Sequence, residues 1–467
     1  MASAGTPSST SPDKNGSGAS RSRKGAGVSN PWSVLRHRNY RLFFYGQSIS
    51  VIGTWMTRVA TAWLVYRLTK SPLLLGTVTF AGQIPTFLVS PIAGVWVDRL
   101  NRHQVLIWTQ AISCVQSFLL AAFTFTGQIN IPWIIALNIL QGVVNAFDIP
   151  ARQSFVVQMV EDKADLGKGI AINSSMATTA RLIGPSIAGL LIAATGEGWC
   201  FFLDGVSYIA VIASLLAMRI TVPQAPIKQT STFVALREGW EYVTGFLPIR
   251  TILTLFSLNS LMGYPYVVLM PIFAVQVLHG GPHTLGFLMG GVGLGALTAA
   301  LSLASRESVR GLLTNLPVWA SIFGAGLIVF GLSHTFWLSF IAVYFAGLGM
   351  MSGMASSNTI LQTLVSEDKR GRVMSYYTMG FVGMTPFGAL LAGTVAHIIP
   401  ATPLWFARGT PLSGTQWTIM MNGVVVILGA VWFFTRLPAI RKVVRPIYRE
   451  MGILPPRQEL AAPQIES

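Results

Sequence analysis

Five ionisable residues stand inside long apolar stretches of this chain: Arg58, Asp148, Arg181, Asp204 and His397. A charge in such a setting is expensive and calls for a partner, a water-filled cavity or a proton. Asp148, in Asn145-Ala-Phe-Asp148-Ile-Pro150-Ala-Arg152, has three readings: an acid that latches onto Arg102 or Arg99, a proton or substrate site, or a surface acid reaching for the headgroups. Arg181 lies about 18 Å into its stretch at 1.5 Å per residue, close to mid-depth. It reads either as a contact for anionic or polar cargo or as a structural group bonded to backbone carbonyls. Arg58 and Asp204 lie towards the same end of their stretches and are expected to pair across a mouth, as a gating pair or as a proton-handling one. His397 titrates near neutral pH or is merely interfacial. The later spans hold no acid, so a coupling carboxylate has to come from the first half.

Further chemistry sits between and along these stretches. In Gly94-Val-Trp-Val-Asp98-Arg99-Leu-Asn-Arg102-His103, Gly94 permits close helix approach. Asp98, Arg99 and Arg102 are placed to latch neighbouring helix ends through charge-assisted hydrogen bonds; the alternative is an ordinary solvated loop. Met350, Met351, Met354, Met374, Met379 and Met384 accompany Tyr376, Tyr377 and Phe381. That set suits either the lining of a cavity for a bulky amphipathic molecule, with Met350, Met354, Tyr376 and Met379 the lining candidates, or packing core. Gly290, Gly291, Gly293 and Gly295 mark close helix contact, since no phosphate-binding string accompanies them. Cys114 and Cys200 form neither a disulfide framework nor a metal-ligand spacing. No metal and no cofactor are expected.

The elements that carry these residues follow from composition. The 467 residues are 52% hydrophobic and only 10% charged, with mean hydropathy +0.57. Soluble domains carry roughly 25% charge, so an aqueous enzyme is excluded and helices in lipid are expected. Apolar stretches long enough to span a bilayer occur at 42–66, 73–97, 104–126, 131–151, 169–195, 199–218, 250–277, 284–304, 311–332, 336–359, 372–398 and 416–435. The expectation is an all-α integral membrane protein of twelve transmembrane helices in two pseudo-symmetric six-helix bundles. Residues 1–41 read as a disordered cytoplasmic tail with no signal peptide, 42–218 as the first bundle, 219–249 as a cytoplasmic linker with a short surface helix near 233–246, 250–436 as the second bundle and 437–467 as a cytoplasmic tail.

Charge orients the chain. Of 32 Lys and Arg, 27 fall on the side of the termini; Arg67, Lys70 and Arg408 lie opposite, and Arg58 and Arg181 lie within spans. That bias puts both termini inside, and it accounts for the net charge of +16 without nucleic acid. The halves also repeat: Leu140-Gln-Gly-Val-Val-Asn answers Phe345-Ala-Gly-Leu-Gly-Met, and Val160-Glu-Asp-Lys163 answers Ser366-Glu-Asp-Lys369. Gly184-Pro185 with Gly189 answers Thr385-Pro386 with Gly388. Parallel repeats place a central cavity at their interface, with access alternating by rocking.

The string from Gly94 to His103, placed between the second and third of twelve spans, resembles the signature loop of the major facilitator superfamily. The resemblance extends over about 42–436. It implies a conformational latch at Gly94, Asp98, Arg99 and Arg102, joined by Asp148 in a charge relay. Gln141-Gly142 resembles part of a second family signature, but Asn138 stands where that signature has arginine, which weakens the inference of proton antiport. Gly184-Pro185-Ser-Ile-Ala-Gly189 is similar to the family's export-associated helix bend, although such a pair also kinks importers. Trp63-Leu-Val-Tyr66, Thr69-Lys-Ser71, Pro85 and Pro150-Ala151 resemble the subgroup of the enterobactin exporter and drug-efflux proteins.

The resemblance implies a secondary transporter, not an enzyme, in a bacterial inner membrane. It would export a drug-like, siderophore-like or lysolipid molecule as a functional monomer, driven by protons. The substrate and coupling candidates are Arg58, Asn138, Gln141, Arg181 and Asp204. Two other classes are a transport-inactive sensor or assembly factor, and a lipid-modifying enzyme. The latter lacks paired carboxylates or a nucleophile with its base near an interface. The charge bias carries its own test. Cysteines placed at Ser305 and Ser366, with Cys114 and Cys200 replaced by alanine, are expected to react with an impermeant maleimide only from the inside. Labelling from outside would invert the topology.

Overall fold

The computed structural model describes residues 31–160, 162, 165–219, 232–306, 308–401 and 411–455. The first thirty residues, residues 220–231 of the expected linker, Lys163, Arg408 and the last twelve residues lie outside them. After a 3-10 turn at Pro31–Arg36 the chain forms α1 (Arg38–Thr69), α2 (Pro72–Arg99), α3 (Arg102–Phe125), α4 (Ile131–Met159), α5 (Leu166–Thr195) and α6 (Glu197–Leu216). The linker helix α7 (Thr232–Gly245) follows. The second half comprises α8 (Leu247–Leu258), α9 (Tyr266–Ile272), α10 (Pro282–Ala304), α11 (Leu312–Leu332), α12 (Phe336–Leu364), α13 (Glu367–Thr378), α14 (Met384–Ile398) and α15 (Gly414–Glu450). Helix α8 runs into α9 through a π turn at Asn259–Gly263, and α13 into α14 through another at Met379–Gly383.

These segments are helical because lipid offers no partner for a free backbone group. Serine and threonine hydroxyls obey the same constraint: Thr77, Thr79, Ser174 and Thr394 each donate to the carbonyl four residues back. Ser71, Asn101, Asn130 and Ser413 accept a backbone N–H at the starts of α2, α3, α4 and α15. Among the described residues, eleven helical segments are long and apolar enough to cross a membrane. Helix α1, with 32 residues, completes the twelve by length; Arg41, Arg58 and Arg67 lower its apolarity. Large apolar side chains face outward, Trp337 being 73% and Trp108 68% exposed, as a lipid-facing belt requires.

Two seams join the halves. Helix α5 packs on α10, and α2 on α14. A Cβ on Gly189 would lie 2.8 Å from the Cα of Gly286, and one on Gly393 3.0 Å from the Cα of Gly76. The seams correspond under the internal repeat. Only glycine lets two backbones pass so closely. Both seams lie at the end where α5 finishes and α10 begins. There a single apolar cluster runs across both halves, from Leu64 and Leu75 to Tyr266, Leu285 and Ala389. At the opposite end the core divides: Tyr40, Phe155 and Ile172 belong to one cluster, Leu313, Leu361 and Phe433 to another. Helices α4 and α12 make their main contacts within their own halves. The molecule is therefore closed at one end and parted at the other.

Three expectations change. Residues 31–41, expected within a disordered tail, form the 3-10 turn and the start of α1, because Val34 and Tyr40 are buried in the core of the first half. Helix α15 does not stop near 435 but continues to Glu450. Leu437, Ile440, Val444 and Tyr448 recur at helical spacing and pack against Leu312, Leu313 and Leu316, while Arg441 donates to Thr314 at 2.9 Å. A Cβ on Gly94 would meet nothing within 4 Å, so the expected close approach is absent there.

The seams predict a steric response. Gly189→Leu forces a side chain into the Gly286 backbone, and such overpacking costs about 1–3 kcal/mol. The closed end is therefore expected to open more often. A cysteine at Ser186 should become labelled roughly tenfold faster from that end; an unchanged rate would contradict the seam.

Candidate substrate and coupling site

Buried polar groups of the first half form a chain of paired side chains. Asp148 on α4, 2% exposed, accepts from Thr109 Oγ1 at 3.0 Å and Gln110 Nε2 at 2.8 Å, both on α3. It also pairs with Arg152 one turn along its own helix. The expected partners Arg99 and Arg102 are thus replaced by a local i,i+4 ion pair, which needs no crossing of the mouth. Arg99 is exposed, Arg102 is engaged elsewhere, and the Asp98 side chain lies outside the described residues. Two turns before Asp148, Gln141 Nε2 donates to Ser113 at 3.1 Å and to Asn145 at 3.2 Å. Asn138 donates to its own Ile134 carbonyl at 2.8 Å, an internal tie within α4.

Asp204 on α6, 1% exposed, does not form the expected pair with Arg58. Its Oδ2 accepts from Thr57 at 2.8 Å and Ser117 at 3.1 Å, and its Oδ1 has no hydrogen-bond partner. Gly53 makes room for it: a Cβ there would stand 2.7 Å from Oδ1. Helical rotation explains the difference. Gly53 and Thr57 share the α1 face turned to α6, and Arg58 projects a further 100° round the helix.

Arg58 instead lies over the ring of Trp55, 4.8 Å from its centroid, and Arg181 lies over the same ring at 5.3 Å. Arg181 Nε is buried without a hydrogen-bond partner. The glycine–proline bend builds this group. A Cβ on Gly184 would strike Trp55 Cβ at 2.6 Å, so glycine there lets α1 and α5 close on the ring. Pro185 lies inside α5 and cannot donate to the carbonyl of Arg181, which faces Gly293 of α10. Ser174, Thr178 and Arg181 share one face of α5, and Ser174 and Ser175 are exposed. A polar stripe thus runs from the parted end to the guanidinium. On the second half, Tyr266 of α9 lies within electrostatic reach of Arg181, its buried hydroxyl unpartnered.

Met350 and Met354 line a recess with Phe256, Asn259, Tyr264 and Phe381. Tyr376 packs on Trp240 of α7, 5.8 Å between ring centroids, and Met379 begins a π turn; neither lines that recess. His397 is exposed at the end of α14.

Sequence reasoning missed Trp55, whose signal was its spacing three residues before Arg58 on one helix face. It also missed two acids. Glu197 pairs with Arg67 at 2.8 Å. Asp165, 2% exposed, accepts from Lys168 and Arg36 at 2.9 and 2.8 Å and meets His37 at 3.2 Å. The hydrogen bond from Lys168, aided by those from His37 and Arg36, holds the Asp165 carboxyl below the usual carboxylate range against the opposing effect of burial. A depressed acid stabilises the fold above its unfolded pKa, about 3.9, and that contribution is lost as pH falls towards the folded value. Asp165→Asn is therefore expected to melt lower than the native protein at pH 7, and the gap should narrow below about pH 4. A gap independent of pH in detergent melting curves would contradict this.

Relatives share these proportions. The staphyloferrin A transporter of Staphylococcus aureus is 25% identical over 361 residues, 77% of this chain and 89% of that one. The enterobactin exporter of Salmonella typhi is 24% identical over 415 residues, 87% and 97% of the two chains. The crystal structure of a bacterial homologue of the human lysosomal transporter Spinster, inward-facing and unoccupied, matches with TM-score 0.67 at 14% identity, over 88% of this chain and 98% of that one; this likeness concerns the fold. The transmembrane secretion effector family matches residues 29–429, so the chain belongs to that family of major facilitator superfamily membrane transporters.

Proposed function

We propose that this protein exports a small amphipathic molecule by alternating access, driven by protons, as a monomer in a bacterial inner membrane with both termini cytoplasmic. The observation that carries the reading is the pair of glycine seams at one end, opposite an end where the apolar core divides between the halves. With the charge bias setting orientation, the divided end opens to the cytoplasm and receives cargo there. Residues 42–218 and 250–436 rock against each other about the linker 219–249. The recess at Met350, Met354 and Phe381 is lined mainly by apolar and aromatic side chains, which suits an apolar body, and the siderophore names of two relatives favour cargo of that kind. The protein moves its cargo without transforming it.

Asp204 is the coupling acid in this reading, because one of its buried oxygens has no donor and is open to a proton. Asp98, Arg99 and Arg102 act as the latch between states. In proteoliposomes with an imposed proton gradient, uphill movement of a transported siderophore or drug is expected. Asp204→Asn should abolish accumulation while leaving exchange at equal concentrations within about threefold, a difference of under 1 kcal/mol. Accumulation that survives Asp204→Asn would remove that residue from coupling. Failure of any tested siderophore, drug or lysolipid to move would overturn export.

A further inference from the structure

We propose that Trp55, Arg58 and Arg181 form the recognition site for an anionic group on the cargo, with a planar carboxylate or catecholate the chemistry that fits. This rests on the export reading and narrows its substrate class. Two guanidinium groups share one indole ring, at 4.8 and 5.3 Å from its centroid. Like charges so placed repel, more strongly where water is scarce, and the attraction of each to the ring offsets this only in part. Among the described residues neither arginine has an ion pair or a side-chain hydrogen bond, and Arg181 Nε is buried without any acceptor. Asp204, the acid across α1, is turned to Thr57 and Ser117 and forms no ion pair with either arginine.

An arginine fork matches a carboxylate with two parallel hydrogen bonds and also stacks on flat rings. An anion entering between the two forks would supply the missing acceptors and relieve the repulsion. Its place in the fold supports the assignment. Arg181 stands where the α5–α10 seam gives way to the parted end, at the head of the face that carries Ser174 and Thr178. In the second half, Tyr264 lines the recess beside Phe381 and Met350. A cargo with an acidic head and an apolar body would meet the first half with its charge and the second half with its body.

The test uses the purified full chain in detergent with three probes: salicylate, inorganic phosphate and tetraphenylphosphonium. Salicylate is expected to bind more tightly than phosphate, with an affinity that falls as salt rises. Arg181→Gln and Arg58→Gln should each weaken it at least tenfold at unchanged melting temperature. Arg181→Lys, which keeps the charge and loses the fork, should fall between. Arg58 is exposed, so its variant stays informative if Arg181→Gln fails to fold. Tetraphenylphosphonium should bind the native chain less tightly than it binds Arg181→Gln. The proposal is overturned if salicylate affinity stays within twofold in both folded glutamine variants, or if the cation binds the native chain more tightly than salicylate does. Arginine-dependent binding without transport in proteoliposomes would sink the export reading and leave the anion site. Export of a cationic or neutral compound, unchanged in both variants, would sink the anion site and leave export.

Discussion

The closeness of two backbones, at Gly189 with Gly286 and at Gly76 with Gly393, is the constraint on which the arrangement rests. In lipid no hydrophobic effect drives helices together, so attraction grows only with intimate contact. Glycine provides that intimacy at the same end of both seams, and the closed end follows. Along α5, Gly189 packs on α10 and Gly184 on Trp55 of α1, one turn before which Arg181 stands. The geometry that brings the halves together at the seam thus also presses Trp55 against α5 and sets two cations over its ring. Seam and cationic group are two outcomes of one run of small residues.

The halves share a fold but differ in chemistry. The first keeps its acids, Asp148 and Asp204, inside hydrogen-bonded networks drawn from α1, α3 and α4. The second offers π turns, methionines and stacked rings, Phe256 lying 4.3 Å from Tyr377 between centroids. A π turn widens the helix and leaves room beside it, and the recess lies alongside two of them. Charge handling and shape accommodation are thereby separated in space, so either can change without disturbing the other.

Much of the fold was legible in the sequence, because a bilayer imposes a length and an apolarity that few other environments do. The twelve stretches followed from that rule, while the internal repeat was legible in matched short strings such as Val160-Glu-Asp-Lys163 and Ser366-Glu-Asp-Lys369. What failed was the choice of partners. Asp148 took Arg152 on its own helix, and Asp204 took hydroxyls in place of Arg58. A helix apolar on every side carries no periodic mark of which face turns inward, so the rotation that decides between Thr57 and Arg58 cannot be read from spacing. The end of α15 was missed for the opposite reason. Its basic residues mask an apolar stripe at helical spacing, and charge was taken for the end of structure.

That continuation has mechanical weight. At about 1.5 Å per residue, the 37 residues of α15 reach well beyond a hydrocarbon layer of about 30 Å. The overhang lies along the start of α11, bound by Tyr448 and Val444 on one face. In the first half, the Asp165 cluster ties the start of α1 to the start of α5 in the same way. Each half is thus strapped at the end where the molecule gapes, like the stiffened jaw of a clamp. Bending within a half is suppressed there, and strain from any closure is passed along the helices to the glycine seams, which serve as the pivot.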